Sequence, residues 1–147
     1  MKSSQSKSAE SPPKKKSGNS SDTKNLNNLK ILAVDDEEIM GYLLKRIVRH
    51  WGSSVDWVTS FETALDKIEN ENYDLILSDF KMPRMNGETF YNEICIRKKH
   101  LTKKMIFITG DTVSTKTIKF LERIKAPYLT KPFHIEELKK TIIQMTT

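Results

Sequence analysis

From Leu29 onward, short strand-like runs alternate with longer stretches whose apolar residues recur every three or four positions. Runs near 30–35, 54–58, 74–78, 104–109 and 126–130 predict strands, Ile31-Leu32-Ala33-Val34 and Leu75-Ile76-Leu77-Ser78 being the most apolar. Helical spacing predicts helices near 38–51, 61–71, 87–99, 113–124 and 135–145. In the second, Phe61, Ala64, Leu65 and Ile68 fall at i, i+3, i+4 and i+7. The fourth repeats the pattern with Ile118, Leu121 and Ile124. The last sets Ile135, Leu138 and Ile142 on one side, with Glu136, Lys139 and Lys140 facing out. Gly52 stands where a left-handed residue would close the first helix, and Asn86-Gly87 marks the turn before the third. Five successive βα units predict an α/β sandwich with a parallel sheet.

The chain before Leu29 reads differently. Residues 1–28 are Ser, Lys, Asn and Pro, with Ala9 and Leu26 as the apolar content after the initiator. Such a segment cannot bury enough surface to offset its chain entropy and is expected to be disordered. The Pro-Pro-Lys-Lys-Lys cluster at 12–16 reads as a solvated linker or as a basic address. Two units follow: a basic tail over 1–28 and one domain over 29–147.

That split changes the meaning of the formal charge of +6. Six lysines and two acids place +4 in the tail, leaving 19 basic against 17 acidic side chains in the domain. A near-neutral domain is poor evidence for nucleic-acid binding, and none is expected directly. A single cysteine, Cys95, rules out an internal disulfide and fits a reducing, cytoplasmic setting. Its apolar helical surroundings predict a buried packing residue. No apolar run approaches the roughly 20 residues that span a bilayer, and the N-terminus lacks a signal-type hydrophobic segment.

The chemistry lies at strand ends. Asp35 and Asp36 follow the first strand, and Asp79 closes the third, while Thr109 and Lys131 take matching positions later. Parallel strands line up their C-terminal ends along one edge, so these residues converge there. Three gathered carboxylates repel one another and call for a hard divalent cation, Mg2+ above all.

Taken in order, the motifs resemble the receiver (CheY-like) domain of two-component response regulators. They are Val34-Asp35-Asp36-Glu37, Leu75-Ile76-Leu77-Ser78-Asp79 with Met82-Pro83-Arg84-Met85-Asn86-Gly87, Phe107-Ile108-Thr109-Gly110, and Lys131-Pro132-Phe133. Spacings of 43, 30 and 22 residues separate Asp36, Asp79, Thr109 and Lys131. The resemblance implies a flavodoxin-like (βα)5 doubly wound fold with strand order 2-1-3-4-5. It also implies Asp79 as phosphoacceptor, a carboxylate nucleophile forming an acyl phosphate. Asp36 would bind Mg2+ directly, Asp35 through a metal-bound water, and Lys81 through its main-chain carbonyl. Lys131 would place a charge on the phosphoryl oxygens, directed by a cis bond to Pro132. Thr109 would donate a hydroxyl, and Tyr128 would be the switch aromatic.

Two further positions carry a hypothesis about rate. Lys81 and Asp111 would flank the phosphoryl site, either pairing as a gate against hydrolytic water or remaining solvated without a role. His50, His100 and His134 show no metal-ligand spacing, and His134 is a poor residue to open the last helix.

The implied donor is a phosphohistidine on a sensor histidine kinase or a histidine phosphotransfer protein. The protein would be a phosphoacceptor that assists its own phosphorylation and dephosphorylation, not an enzyme. Output is expected through protein contact at the face of the fourth helix, fifth strand and fifth helix, from a monomer or a phosphorylation-dependent dimer. That face carries Lys116, Lys119, Arg123, Lys125, Lys139 and Lys140, which suits an acidic or mixed-charge target. Three rival readings make different demands on the same residues. A haloacid dehalogenase-type enzyme would want a second acid two residues past Asp79, where Lys81 stands. A flavodoxin would want a hydroxyl- and amide-rich phosphate loop, where Asp35-Asp36-Glu37-Glu38 stands. A phosphorylation-independent interaction module would not need the complete acidic set.

Overall fold

The computed structural model describes residues 26–82, 84–110 and 114–146. Five parallel strands form the central sheet: β1 (Lys30–Val34), β2 (Ser54–Val58), β3 (Leu75–Asp79), β4 (Met105–Thr109) and β5 (Tyr128–Thr130). Their order is β2-β1-β3-β4-β5, the doubly wound arrangement expected from the motifs. The helices are α1 (Glu38–His50), α2 (Phe61–Asn70), α3 (Gly87–Lys98), α4 (Thr115–Ile124) and α5 (Ile135–Thr146). All lie within two residues of their expected limits. A six-residue 3-10 segment, Lys99–Lys104, and a two-residue antiparallel ladder, Lys81–Met82 with Met85–Asn86, were not foreseen.

Alternation along the strands divides the core into two layers. Leu32, Val34, Ile76 and Phe107 point to one face, against Phe61, Ala64, Leu65 and Ile68 of α2, Phe90 and Ile94 of α3, and Phe120 and Leu121 of α4. Ile31, Ala33, Leu75, Leu77 and Ile106 point to the other, against Leu44 and Val48 of α1 and Leu138 and Ile142 of α5. Burying a side chain of this kind contributes about 1.5–3 kcal/mol. Phe61 and Phe90 stack at 4.5 Å between ring centroids, tying α2 to α3.

Local signals set the element ends. Ser60, Asn86 and Ser114 cap α2, α3 and α4, each side chain accepting from the backbone N–H three residues on. Gly52 follows α1 with φ +84°, as expected of a left-handed closing residue. His134 opens α5 without a capping side chain of its own. Instead Glu137 reaches back and accepts the His134 N–H at 2.9 Å, half of a capping box.

Three expectations need correction. Leu26, assigned to the polar tail, is fully buried in the α1/α5 layer, and Ser53 Oγ donates to its carbonyl. Ile135 is 39% exposed, because the first residue of α5 projects past the packed turn that Leu138 begins. Cys95 is half-buried rather than buried, since Phe90 and Ile94 take the core side of α3. The expected disorder of residues 1–25 lies outside the described residues.

Candidate functional site

Four of the five strands deliver their last side chain, or the next one, to the same edge of the sheet. Asp35 follows β1, Asp79 ends β3, Thr109 ends β4 and Lys131 follows β5. One carboxylate oxygen from each of Asp35, Asp36 and Asp79 lies within 4.8 Å of the others. Asp35 and Asp79 are buried and Asp36 is exposed. A cavity of about 510 Å3 opens beside Asp79, lined by Glu37, Asp79, Lys81, Thr109, Gly110 and Lys131 among others.

The local fold orders these groups unequally. Asp35 is tied on every side: its main-chain N–H donates to Val58 O at 3.1 Å and its Oδ1 accepts the Glu37 N–H at 2.8 Å. Its carbonyl accepts the Trp57 indole N–H at 2.8 Å. Asp79 is held more loosely, by the Lys81 N–H at 3.3 Å. Lys131 Nζ donates to Asp35 Oδ2 at 2.9 Å and to Glu37 Oε1 at 2.5 Å, and lies 3.6 Å from Asp79 Oδ2. The Lys131–Pro132 peptide bond is cis. The Thr109 hydroxyl donates to the Leu129 carbonyl at 3.3 Å, and the Thr109 carbonyl accepts the Lys131 N–H at 2.8 Å.

Electrostatics follow from this crowding. Burial pushes the Asp79 carboxyl above its usual range; the Lys131 charge pulls it back, Asp35 raises it, the Lys81 N–H lowers it and Asp36 raises it. Burial alone would lower Lys131, but its hydrogen bonds to Glu37 and Asp35 and the charges of Asp35 and Asp79 outweigh that and raise it. The donor set consists of oxygens alone, which suits Mg2+. Ligand oxygens around one Mg2+ stand at most about 4.2 Å apart, close to the span seen here. The residues present fit that ion.

The expected residues Asp35, Asp36, Asp79, Lys81, Thr109 and Lys131 therefore meet at one edge. Tyr128 stands on β5, half-buried against the layer that includes Phe107, Phe120 and Leu121. Asp111 lies outside the described residues, so the Lys81–Asp111 pair is not described. Sequence reasoning missed two participants. In the sequence Glu37 is only a flank of the acidic motif, and the one signal for its role is an acid two residues past Asp35, within reach of Lys131. Trp57 was read as a strand residue, and nothing in its spacing pointed to the Asp35 carbonyl.

Comparison with known proteins agrees with this geometry. The family model for the response regulator receiver domain matches residues 31–143. The response regulator ArlR of Staphylococcus haemolyticus is 35% identical over 109 residues, 74% of this chain and 48% of that protein. Transcriptional regulatory protein TcrA of Mycobacterium tuberculosis is 30% identical over 112 residues, 75% of this chain and 43% of that protein. The chain thus spans about half the length of the curated relatives it matches. Among solved structures, the response regulator TrrA of Thermotoga maritima, in complex with Mg2+ and BeF, is 32% identical with a TM-score of 0.67. That likeness covers 80% of this chain and 98% of TrrA.

Proposed function

The chain belongs to the response regulator receiver domain family, and from that membership we propose that it accepts a phosphoryl group onto Asp79 from a phosphohistidine donor, in a reaction that needs Mg2+. Members of this family are signalling proteins of two-component systems, typically phosphorylated and Mg2+-binding. Membership displaces the dehalogenase-type and flavodoxin readings. The observation that carries the proposal is the meeting of three carboxylates within 4.8 Å, with Lys131 only 3.6 Å from Asp79.

Of the two buried acids, Asp79 is the one with an oxygen to spare. Asp35 already accepts from Glu37 and Lys131, whereas the contacts to Asp79 are long. In the transfer, an Asp79 oxygen bonds to phosphorus while the P–N bond of the donor breaks, its electron pair returning to the imidazole. A bound Mg2+ would neutralise the phosphoryl oxygens and the clustered acids. Asp36 and Asp79 would hold it directly, Asp35 through a water and the Lys81 carbonyl as a further ligand. Lys131 then pairs with the phosphoryl oxygens, a task of positioning and charge rather than covalent chemistry. The same groups would assist loss of the phosphoryl group, with Lys81 and Asp111 tuning its rate.

The long Thr109–Leu129 bond supports a switch. A hydroxyl held at 3.3 Å gives up little when a phosphoryl oxygen attracts it. The β4–α4 loop would follow Thr109, Tyr128 would rotate, and the face of α4, β5 and α5 would change its affinity for a protein target. A basic tail over 1–28 and a receiver domain over 29–147 remain the proposed organisation, with a protein target at that face. Amide NMR shifts on adding beryllofluoride with Mg2+ test this. Changes should spread from Thr109 and Gly110 to Tyr128 and α4, and should be absent in Asp79→Asn. Shifts confined to the three acids would refute the switch.

A further inference from the structure

Resting on the phosphoacceptor reading, we propose that Glu37 is a positioning residue: it holds Lys131 outward in the resting protein and competes with the phosphoryl group for it. Lys131 Nζ sits 2.5 Å from Glu37 Oε1 and 2.9 Å from Asp35 Oδ2, but 3.6 Å from Asp79 Oδ2. The ammonium has three donor hydrogens, and two are committed to acids of the loop after β1.

The two arms of this grip differ. Asp35 is buried, its side chain is fixed by the Glu37 N–H, and its backbone is pinned by Val58 and Trp57. It anchors the lysine from below. Glu37 is the mobile arm, with a side chain 61% exposed and no other hydrogen-bonding partner for its carboxylate among the described residues. To engage oxygens carried by Asp79, Lys131 must turn from Glu37 while keeping Asp35. An interaction present only in the resting state favours that state, so Glu37 weakens phosphoryl binding by the strength of its pair. An ion pair with one exposed arm makes that about fivefold at most.

Two variants separate this grip from simple charge. Glu37→Gln removes the charge and with it the ion pair, leaving at most a weaker neutral acceptor. Glu37→Asp keeps the charge but is one methylene shorter, and Lys131 cannot follow because Asp35 tethers it. Calorimetry would give beryllofluoride affinity at saturating Mg2+, with Mg2+ affinity measured separately and folding checked by thermal melting. Both variants should bind beryllofluoride up to about fivefold tighter than wild type, and Glu37→Asp should keep wild-type Mg2+ affinity. Tightening in Glu37→Gln alone would assign the effect to charge and overturn the grip, as would no change in either. A wild type that binds Mg2+ but no beryllofluoride would instead overturn the phosphoacceptor reading beneath it.

Discussion

Gly41 lies in α1 directly under the Trp57 indole, and the contact reaches the site because that indole donates to the Asp35 carbonyl at 2.8 Å. A Cβ at position 41 would fall inside the van der Waals radii of Trp57 Cδ2 and Cε2, and 2.7 Å from Cγ. Gly41→Ala on its own should help the helix by about 1 kcal/mol. Displacing a packed indole costs about 1–3 kcal/mol, and its lost hydrogen bond about 1 kcal/mol more. The net expectation is a loss of ~1–3 kcal/mol, or a fall of roughly 1 M in the urea midpoint for a domain of this size. Trp57→Val removes the ring while keeping a β-branched residue in β2. In the Trp57→Val background, Gly41→Ala should become neutral or stabilising by up to about 1 kcal/mol, a coupling of ~1–4 kcal/mol. Urea unfolding of the four proteins, followed by circular dichroism, measures it. Costs that add within about 0.5 kcal/mol would refute the steric account.

Two other outcomes follow from the same contacts. Burial, then the bond to Asp56 at 2.6 Å, raises the Tyr73 phenol above its ordinary value. A raised folded value means its stabilisation is full below about pH 10 and is lost as pH rises further. Wild type should therefore lose more stability between about pH 9.5 and 11.5 than Tyr73→Phe, by urea melts across that range; parallel losses would contradict it. Burial first, then the charges of Asp35 and Asp36, also raises Asp79 despite Lys131. The ionised form of Asp79 thus opposes folding near neutral pH without metal, and Asp79→Asn should melt higher than wild type in EDTA. Mg2+ should reverse the order by stabilising wild type about 2.7 kcal/mol at one hundred times its Kd. Equal melting in EDTA would contradict the crowding.

The layers were legible because the periodicity is simple. Phe61, Ala64, Leu65 and Ile68 all reach the core as their spacing requires. So was the convergence of Asp35, Asp36, Asp79, Thr109 and Lys131, since parallel strands ending on one edge leave their last residues little choice. What escaped was what depends on reach across elements. Leu26 looks like tail because its neighbours are polar, yet the Ser53 hydroxyl donates to its carbonyl, the nearby Asn28 N–H pairs with the Gly52 carbonyl, and its side chain joins the α1/α5 layer. Ile135 kept the helical period but sits one turn above the packing. The grip of Glu37 on Lys131 joins residues 94 positions apart, and no local pattern encodes it.

Intact mass after incubation with acetyl phosphate and Mg2+ tests the central claim most directly. Wild type should gain one phosphoryl group that hydroxylamine removes, and neither Asp79→Asn nor wild type in EDTA should gain it. An equal gain in Asp79→Asn, or none in wild type with Mg2+ present, would contradict Asp79 as the acceptor.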